Sequence, residues 1–189
     1  MKPPAAASIA ALSVLLVSCT AISLTPERSA ALKETQRFAD EVTKVYDVRP
    51  VKIRVYEGRF SPQLTWGRYL TLSAADLDRG NARESIVIPL AAATLDYMPN
   101  SPTAVPYRRQ WVFDFNRRAV EISVRFLAIP TRQAVQTHAT RLVNLNDEFR
   151  RKGVRLGDEV TPCEQLHDLW SHFAMTDPIP QCETTSVGR

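Results

Sequence analysis

The chain has 189 residues, with 24 Lys and Arg against 20 Asp and Glu, a formal charge of +4 at neutral pH. That balance is too mild to predict a nucleic-acid partner, and the basic groups Arg108-Arg109, Arg117-Arg118 and Arg150-Arg151-Lys152 are scattered rather than gathered in one run. The length suits one compact domain with its own core rather than a mini-protein needing several staples.

At the N-terminus, Lys2 precedes an apolar stretch from Ala5 to Val17 that no acidic residue interrupts. At about thirteen residues it fits the apolar region of a secretory signal and falls short of the roughly 20 that cross a bilayer as a helix. The stretch ends in Leu16-Val17-Ser18-Cys19, which resembles the lipobox of bacterial lipoproteins. The resemblance implies cleavage by signal peptidase II just before Cys19, a diacylglyceryl group on its thiol, and a fatty acyl chain such as palmitate on the freed amine. One acyl chain binds a membrane only marginally, whereas two or more hold it stably. In lipoproteins, Asp after the cysteine favours retention in the inner membrane. Thr20 stands there instead, so the resemblance implies the outer membrane, facing the periplasm. An ordinary signal peptide cut nearby, or an uncleaved helix with an incidental cysteine, is the alternative. The expected organisation is a signal peptide over 1–18, a lipidated tether over 19–24 and a single periplasmic domain over 25–189.

With Cys19 given to lipid, Cys163 and Cys182 remain. An isolated pair in an oxidising compartment usually joins, so a disulfide is expected that pins the Pro-rich tail Asp177-Pro178-Ile179-Pro180 onto the preceding helix. Two free thiols are the alternative; there is no C-x-x-C redox spacing.

Along the domain, Thr25-Pro26-Glu27 reads as a helix start, and Leu32, Thr35, Phe38, Val42 and Val45 continue it at three- and four-residue steps to about residue 46. Arg49-Pro50 ends it. Val51, Ile53 and Val55 alternate with Lys52, Arg54 and Tyr56 as in a half-buried strand, and a second strand is expected over 68–72, pairing antiparallel with the first. Phe60-Ser61-Pro62 between them has turn composition. Ser73 to Asp78 reads as a capped helical turn. A helix is expected within 86–98, with Pro89 either kinking it or placing its start near 88 and leaving 84–88 extended. Residues 98–106 read as a loop. The segment 111–129 fits a strand alternation (Val120, Ile122, Val124, Phe126) and a helical face (Phe115, Ala119, Ile122, Phe126) alike. Its length favours helix, with a hairpin at Asn116-Arg117 as the alternative. Val135, His138, Leu142, Leu145 and Phe149 stripe a helix over 131–152 that Gly153 stops, and a last helix starts at Thr161-Pro162. The sum is an α+β fold, mainly helical, with a small antiparallel sheet.

Chemistry is sparse. His167 and His172 are five apart and do not share a helical face, His138 falls on an apolar stripe, and no phosphate loop, G-x-S-x-G or H-E-x-x-H occurs. No catalytic residue, metal site or cofactor is nominated. The order helix, strand, strand, apolar helix over 26–98, with Gly67-Arg68-Tyr69-Leu70-Thr71-Leu72-Ser73 before the helix, resembles the core of membrane-associated zincin metallopeptidases. That family's zinc helix carries two histidines and a glutamate. The corresponding run here is Ile88-Pro89-Leu90-Ala91-Ala92-Ala93-Thr94, so the resemblance implies a scaffold without the zinc chemistry; an unrelated α+β domain is the alternative. Trp66, Tyr69, Tyr97, Tyr107 and Trp111 fall in or beside expected loops and form the candidate binding surface, since aromatics with Arg are common at interfaces. The expectation is a non-enzymatic lipoprotein, joined to the membrane by its N-terminal lipid, that binds or positions a partner protein or envelope component. An envelope hydrolase with dispersed catalytic residues, or a small-molecule or lipid carrier with a pocket beneath loop 99–106, is the alternative.

Overall fold

Thr25 starts the first helix, α1 (Pro26–Val45): its hydroxyl accepts the Arg28 N–H at 3.3 Å, and Pro26 sits in the first turn, where an N–H would have no helical partner. In this computed structural model the described residues are 24–58, 60–65, 68–95, 105–154 and 160–182, with the side chains of 105–108 excepted. The expected signal peptide and Cys19 lie outside them.

Three short strands follow: β1 (Lys52–Tyr56), β2 (Gln63–Thr65) and β3 (Tyr69–Ser73), ordered β1-β3-β2. β2 is antiparallel to β3, with Leu64 opposite Leu70, whereas β1 is parallel to β3, with Ile53 opposite Leu70 and Val55 opposite Leu72. The sheet is therefore mixed, and the antiparallel pairing expected for the first and last strands is corrected. The cause is the segment that reads as a turn: it leads into β2, so the chain reverses twice before β3, and β1 and β3 run the same way. The outer edge of β1 is closed by a side chain. Gln36 of α1 donates its amide to the Val51 carbonyl at 2.8 Å and accepts the Ile53 N–H at 3.0 Å, taking the place of a neighbouring strand.

Ser73 ends β3 and caps α2 (Ala74–Asp78), its hydroxyl accepting the Ala75 N–H at 3.2 Å. α3 (Ala82–Thr94) runs through Pro89, so 84–88 is helical rather than extended, and the helix stops at Thr94 rather than 98. Pro89 cannot donate to the carbonyl four residues back. Burial of Ile86, Val87, Leu90 and Ala91 around it offsets that loss. α4 (Val105–Phe126) resolves the ambiguous segment as helix, and α5 (Thr131–Lys152) ends at Gly153, whose φ of 63° is the left-handed conformation that closes a helix. α6 (Pro162–His172) begins with a reciprocal cap, in which Thr161 and Glu164 satisfy each other's backbone N–H groups at 3.2 and 2.7 Å.

Two hydrophobic clusters share α4 as their wall. Ala119 and Ile122 face the first, which is filled by Phe38 and Val42 of α1, Leu70 and Leu72 of β3, and Ile86 and Leu90 of α3. Val120 faces the second, built from Val135 and Leu142 of α5, Leu166 and Leu169 of α6, and the returning tail with Met175 and Ile179. The result is an α+β domain, mainly helical, as the sequence predicts. Among the described residues no helix is long and apolar enough to cross a membrane.

Candidate binding surface

The sheet buries one face only. Ile53, Val55, Leu64, Leu70 and Leu72 point to the first cluster. The intervening residues therefore stand on the opposite face: Lys52, Arg54 and Tyr56 from β1, Gln63 and Thr65 from β2, Tyr69 and Thr71 from β3. Lys52, Arg54, Gln63 and Thr65 are exposed there. The Arg54 guanidinium lies 3.5 Å from the centre of the Tyr69 ring, a cation–π stack between neighbouring strands. Tyr56 meets Phe60 edge to face at 6.3 Å, extending the aromatic surface past the end of β1. The polar rim is internally satisfied: Thr65 donates to the Tyr69 carbonyl at 3.2 Å, and Thr71 accepts the Gln63 N–H at 3.1 Å. The acid at this rim, Glu57, pairs with Arg28 at 3.2 Å. The face thus presents two cations and stacked aromatics, suited to anionic or flat apolar groups.

Of the five aromatics the sequence singles out, Tyr69 belongs to this face. Trp111 does not: on α4 it stacks on Phe115 at 5.3 Å with the rings nearly parallel, and Phe115 packs on the first cluster. No described contact joins it to Tyr69. Trp66 and Tyr97 lie outside the described residues, as does the Tyr107 side chain. Arg54, Tyr56 and Phe60 were not singled out. Their signal was the alternation of Lys52, Arg54 and Tyr56 with Val51, Ile53 and Val55, which marks a face as well as a strand.

His138 of α5 is a core histidine. It is 6% exposed, its Nε2 lies 3.4 Å from Ser123 Oγ, and its Nδ1 has no partner among the described residues. Burial, reinforced by the nearby Arg141 cation, lowers its pKa from 6.5 to about 4. Ser123 spends its proton on the Ala119 carbonyl at 2.9 Å, and no acid among the described residues bonds the imidazole, so the pair as described lacks the geometry of an activated nucleophile.

Beside it, Arg141 donates to Asn116 Oδ1 at 2.7 Å, and Asn116 donates to the Val112 carbonyl and to Gln165 Oε1, both at 3.0 Å. This chain ties α4, α5 and α6 together. Burial holds the Arg141 pKa below its ordinary value. Asn116→Ala takes the acceptor from the buried guanidinium and the donor from Gln165 Oε1, and is expected to lower stability by about 2 kcal/mol. Arg141→Met removes the buried charge itself and should change stability by less than about 1 kcal/mol. Urea unfolding of both variants checks the pair; equal losses would contradict the desolvation argument.

His172 lines a cleft of ≈ 620 Å³ between α4 and α6 with Arg109, Gln110, Phe113, Asp168 and Ser171. His167 does not line it. The His172 ring is held edge-on by Phe113 at 5.4 Å and Phe173 at 4.8 Å, and Arg109 pairs with Glu164 at 3.0 Å. No hydrogen bond joins Ser171, His172 and Asp168 among the described residues. Nor do those residues bring three His, Cys, Asp or Glu side chains together as metal ligands.

Cys163 and Cys182 form a disulfide, with Cα atoms 5.5 Å apart. The tail it secures is further held by Trp170, whose indole donates to the Asp177 carbonyl at 3.0 Å, and by an Arg132–Asp177 ion pair.

Comparison with models of known families, with curated proteins and with solved structures yields no match to this chain.

Proposed function

We propose that the chain is a lipoprotein of the outer membrane, facing the periplasm, held by lipid on Cys19, and that its domain binds or positions an envelope component without catalysing a reaction. The Cys163–Cys182 bridge supports this reading, because such a bond persists in an oxidising compartment beyond the inner membrane, the destination that the resemblance of Leu16-Val17-Ser18-Cys19 to a lipobox implies. The open, cationic and aromatic face of the sheet is the binding surface. The relation to zincins is a proposal about the scaffold alone: the order of a helix, short strands and an apolar helix over 26–94 supports it, while α3 turns Ile86, Val87, Leu90 and Ala91 inward as packing.

Expression of the full chain and its Cys19→Ser variant in a two-membrane bacterium, with fatty-acid labelling and membrane fractionation, tests the anchor. The parent is expected to take up label and sediment with outer membranes. The variant should take up none and leave that fraction. A parent without label would end the proposal.

A further inference from the structure

We propose that the open face of the sheet, with Phe60 at its end, lies against the phospholipid surface in which the chain is anchored. The proposal rests on the lipid at Cys19 argued above, and it names the partner of the face.

The length of the tether limits what can touch the bilayer. Leu24 is packed on the first hydrophobic cluster, so the tether has left the domain surface by that point. Cys19 is five residues earlier, which is at most about 18 Å of extended chain. A domain of this length is roughly 40 Å across. Only the end of the molecule around the start of α1 can therefore meet the membrane closely. That end is shared with the end of β1, because Arg28 in the first turn of α1 bonds Glu57 at 3.2 Å and Asp78 at 2.7 Å. Phe60 follows three residues after Glu57 and is 36% exposed, the one aromatic among the three large apolar side chains exposed in the described residues.

From Phe60 the surface continues through Tyr56 to the Arg54–Tyr69 stack and Lys52. Aromatic rings sit stably at headgroup depth, and Lys and Arg reach lipid phosphates on flexible stems. Of the acids at this end, Glu57 and Asp78 are both engaged by Arg28, and Glu27 is turned to the backbone and hydroxyl of its own helix start. On the face itself Lys52 and Arg54 stand with no acid among the residues of the three strands, which complements an anionic phospholipid. The α5–α6 half of the molecule, with its own cluster and the exposed Val154, would then point away from the bilayer.

The test uses the full lipidated chain in vesicles of phosphatidylethanolamine with a minority of phosphatidylglycerol. An environment-sensitive dye is placed by Ser61→Cys, next to Phe60, and in a second preparation by Val154→Cys; the bridged cysteines do not compete. Vesicle flotation and fatty-acid content first establish the anchor. The dye at 61 is expected to emit as in an apolar medium and to be quenched by lipid-borne quenchers, while the dye at 154 emits as in water. Phe60→Ala should weaken the signal at 61. Loss of the cations by Lys52→Gln with Arg54→Gln should shift the docked population by about fivefold for each charge removed. Water-like emission at both positions in a chain that floats overturns the orientation and leaves the anchor standing. So does a dye at 61 that is wet on vesicles yet protected in native envelopes, because a protein would then occupy the face. A chain that does not float overturns the anchor and the orientation with it.

Discussion

Removal of the Cys163–Cys182 bridge, by reductant or by the paired substitutions Cys163→Ala and Cys182→Ala, is expected to lower stability by about 3 kcal/mol. The bond closes a loop with a sequence separation of 19 residues. In the chain-entropy account, that closure denies the unfolded chain a large set of conformations. For a domain of this size the loss corresponds to a fall in melting temperature of about 6 to 12 °C. The folded state loses more than a tie. The tail brings Met175 and Ile179 onto the second cluster and covers Trp170, which is 7% exposed. Tryptophan emission should therefore shift red in the reduced protein even at temperatures where α5 and α6 remain helical. Calorimetry and fluorescence, with and without reductant, read both effects. A melting temperature unmoved by full reduction would show that Trp170, Asp177 and the apolar contacts hold the tail without help.

Acid is expected to destabilise the domain earlier than its carboxylates require. His138 has a pKa of about 4 in the folded protein against 6.5 when unfolded. Between those values the unfolded chain binds a proton that the folded one refuses. Its contribution is thus fully present above pH 6.5, declines as the pH falls, and is lost by about pH 4, for a total of about 3 kcal/mol. The carboxylates act in the same direction but later: Asp78 is held low by its hydrogen bonds to Arg28, Glu148 by Lys152, and Glu164 by the Thr161 N–H. Their stabilisation begins to fail only below their ordinary values of 3.8 and 4.5. Urea titrations from pH 7.5 to 4.5 should therefore show a steady loss in the parent and a flatter profile in His138→Leu, which keeps the volume and cannot charge. Superimposable profiles would mean that His138 takes up its proton in the folded state without cost.

The helices were legible because their signals are local. Thr25-Pro26 and Thr161-Pro162-Cys163-Glu164 are capping sequences, Gly153 is a stop, and Val135, His138 and Leu142 recur at the helical period. Where the sequence misled, the deciding interaction was remote. Pro89 argues for a break, and only the burial of Ile86, Val87, Leu90 and Ala91 around it overrides that. The parallel direction of β1 depends on a three-residue strand, Gln63–Thr65, too short to display a period. For the open face of the sheet, the alternation in β1 placed Lys52, Arg54 and Tyr56 together, but the joining of Arg54 to Tyr69 depends on strand register, and that of Tyr56 to Phe60 on the path of the chain after β1, which spacing cannot supply. Of the aromatics near expected loops, Tyr69 stands on this face, whereas Trp111 stacks on Phe115 one turn along its own helix.

The amide of Gln36 has a consequence for behaviour in a crowd. An uncovered strand edge is a template on which a second chain can add its own strand. Molecules confined to a surface meet far more often than the same number free in solution, so on a chain anchored as proposed an open edge would invite sheet-to-sheet polymerisation. By occupying the Val51 carbonyl and the Ile53 N–H, a single side chain removes the first two bonding positions such a neighbour would need. Gln36→Ala should leave the monomer folded and expose that edge, making self-association at high surface density the property most sensitive to this one residue.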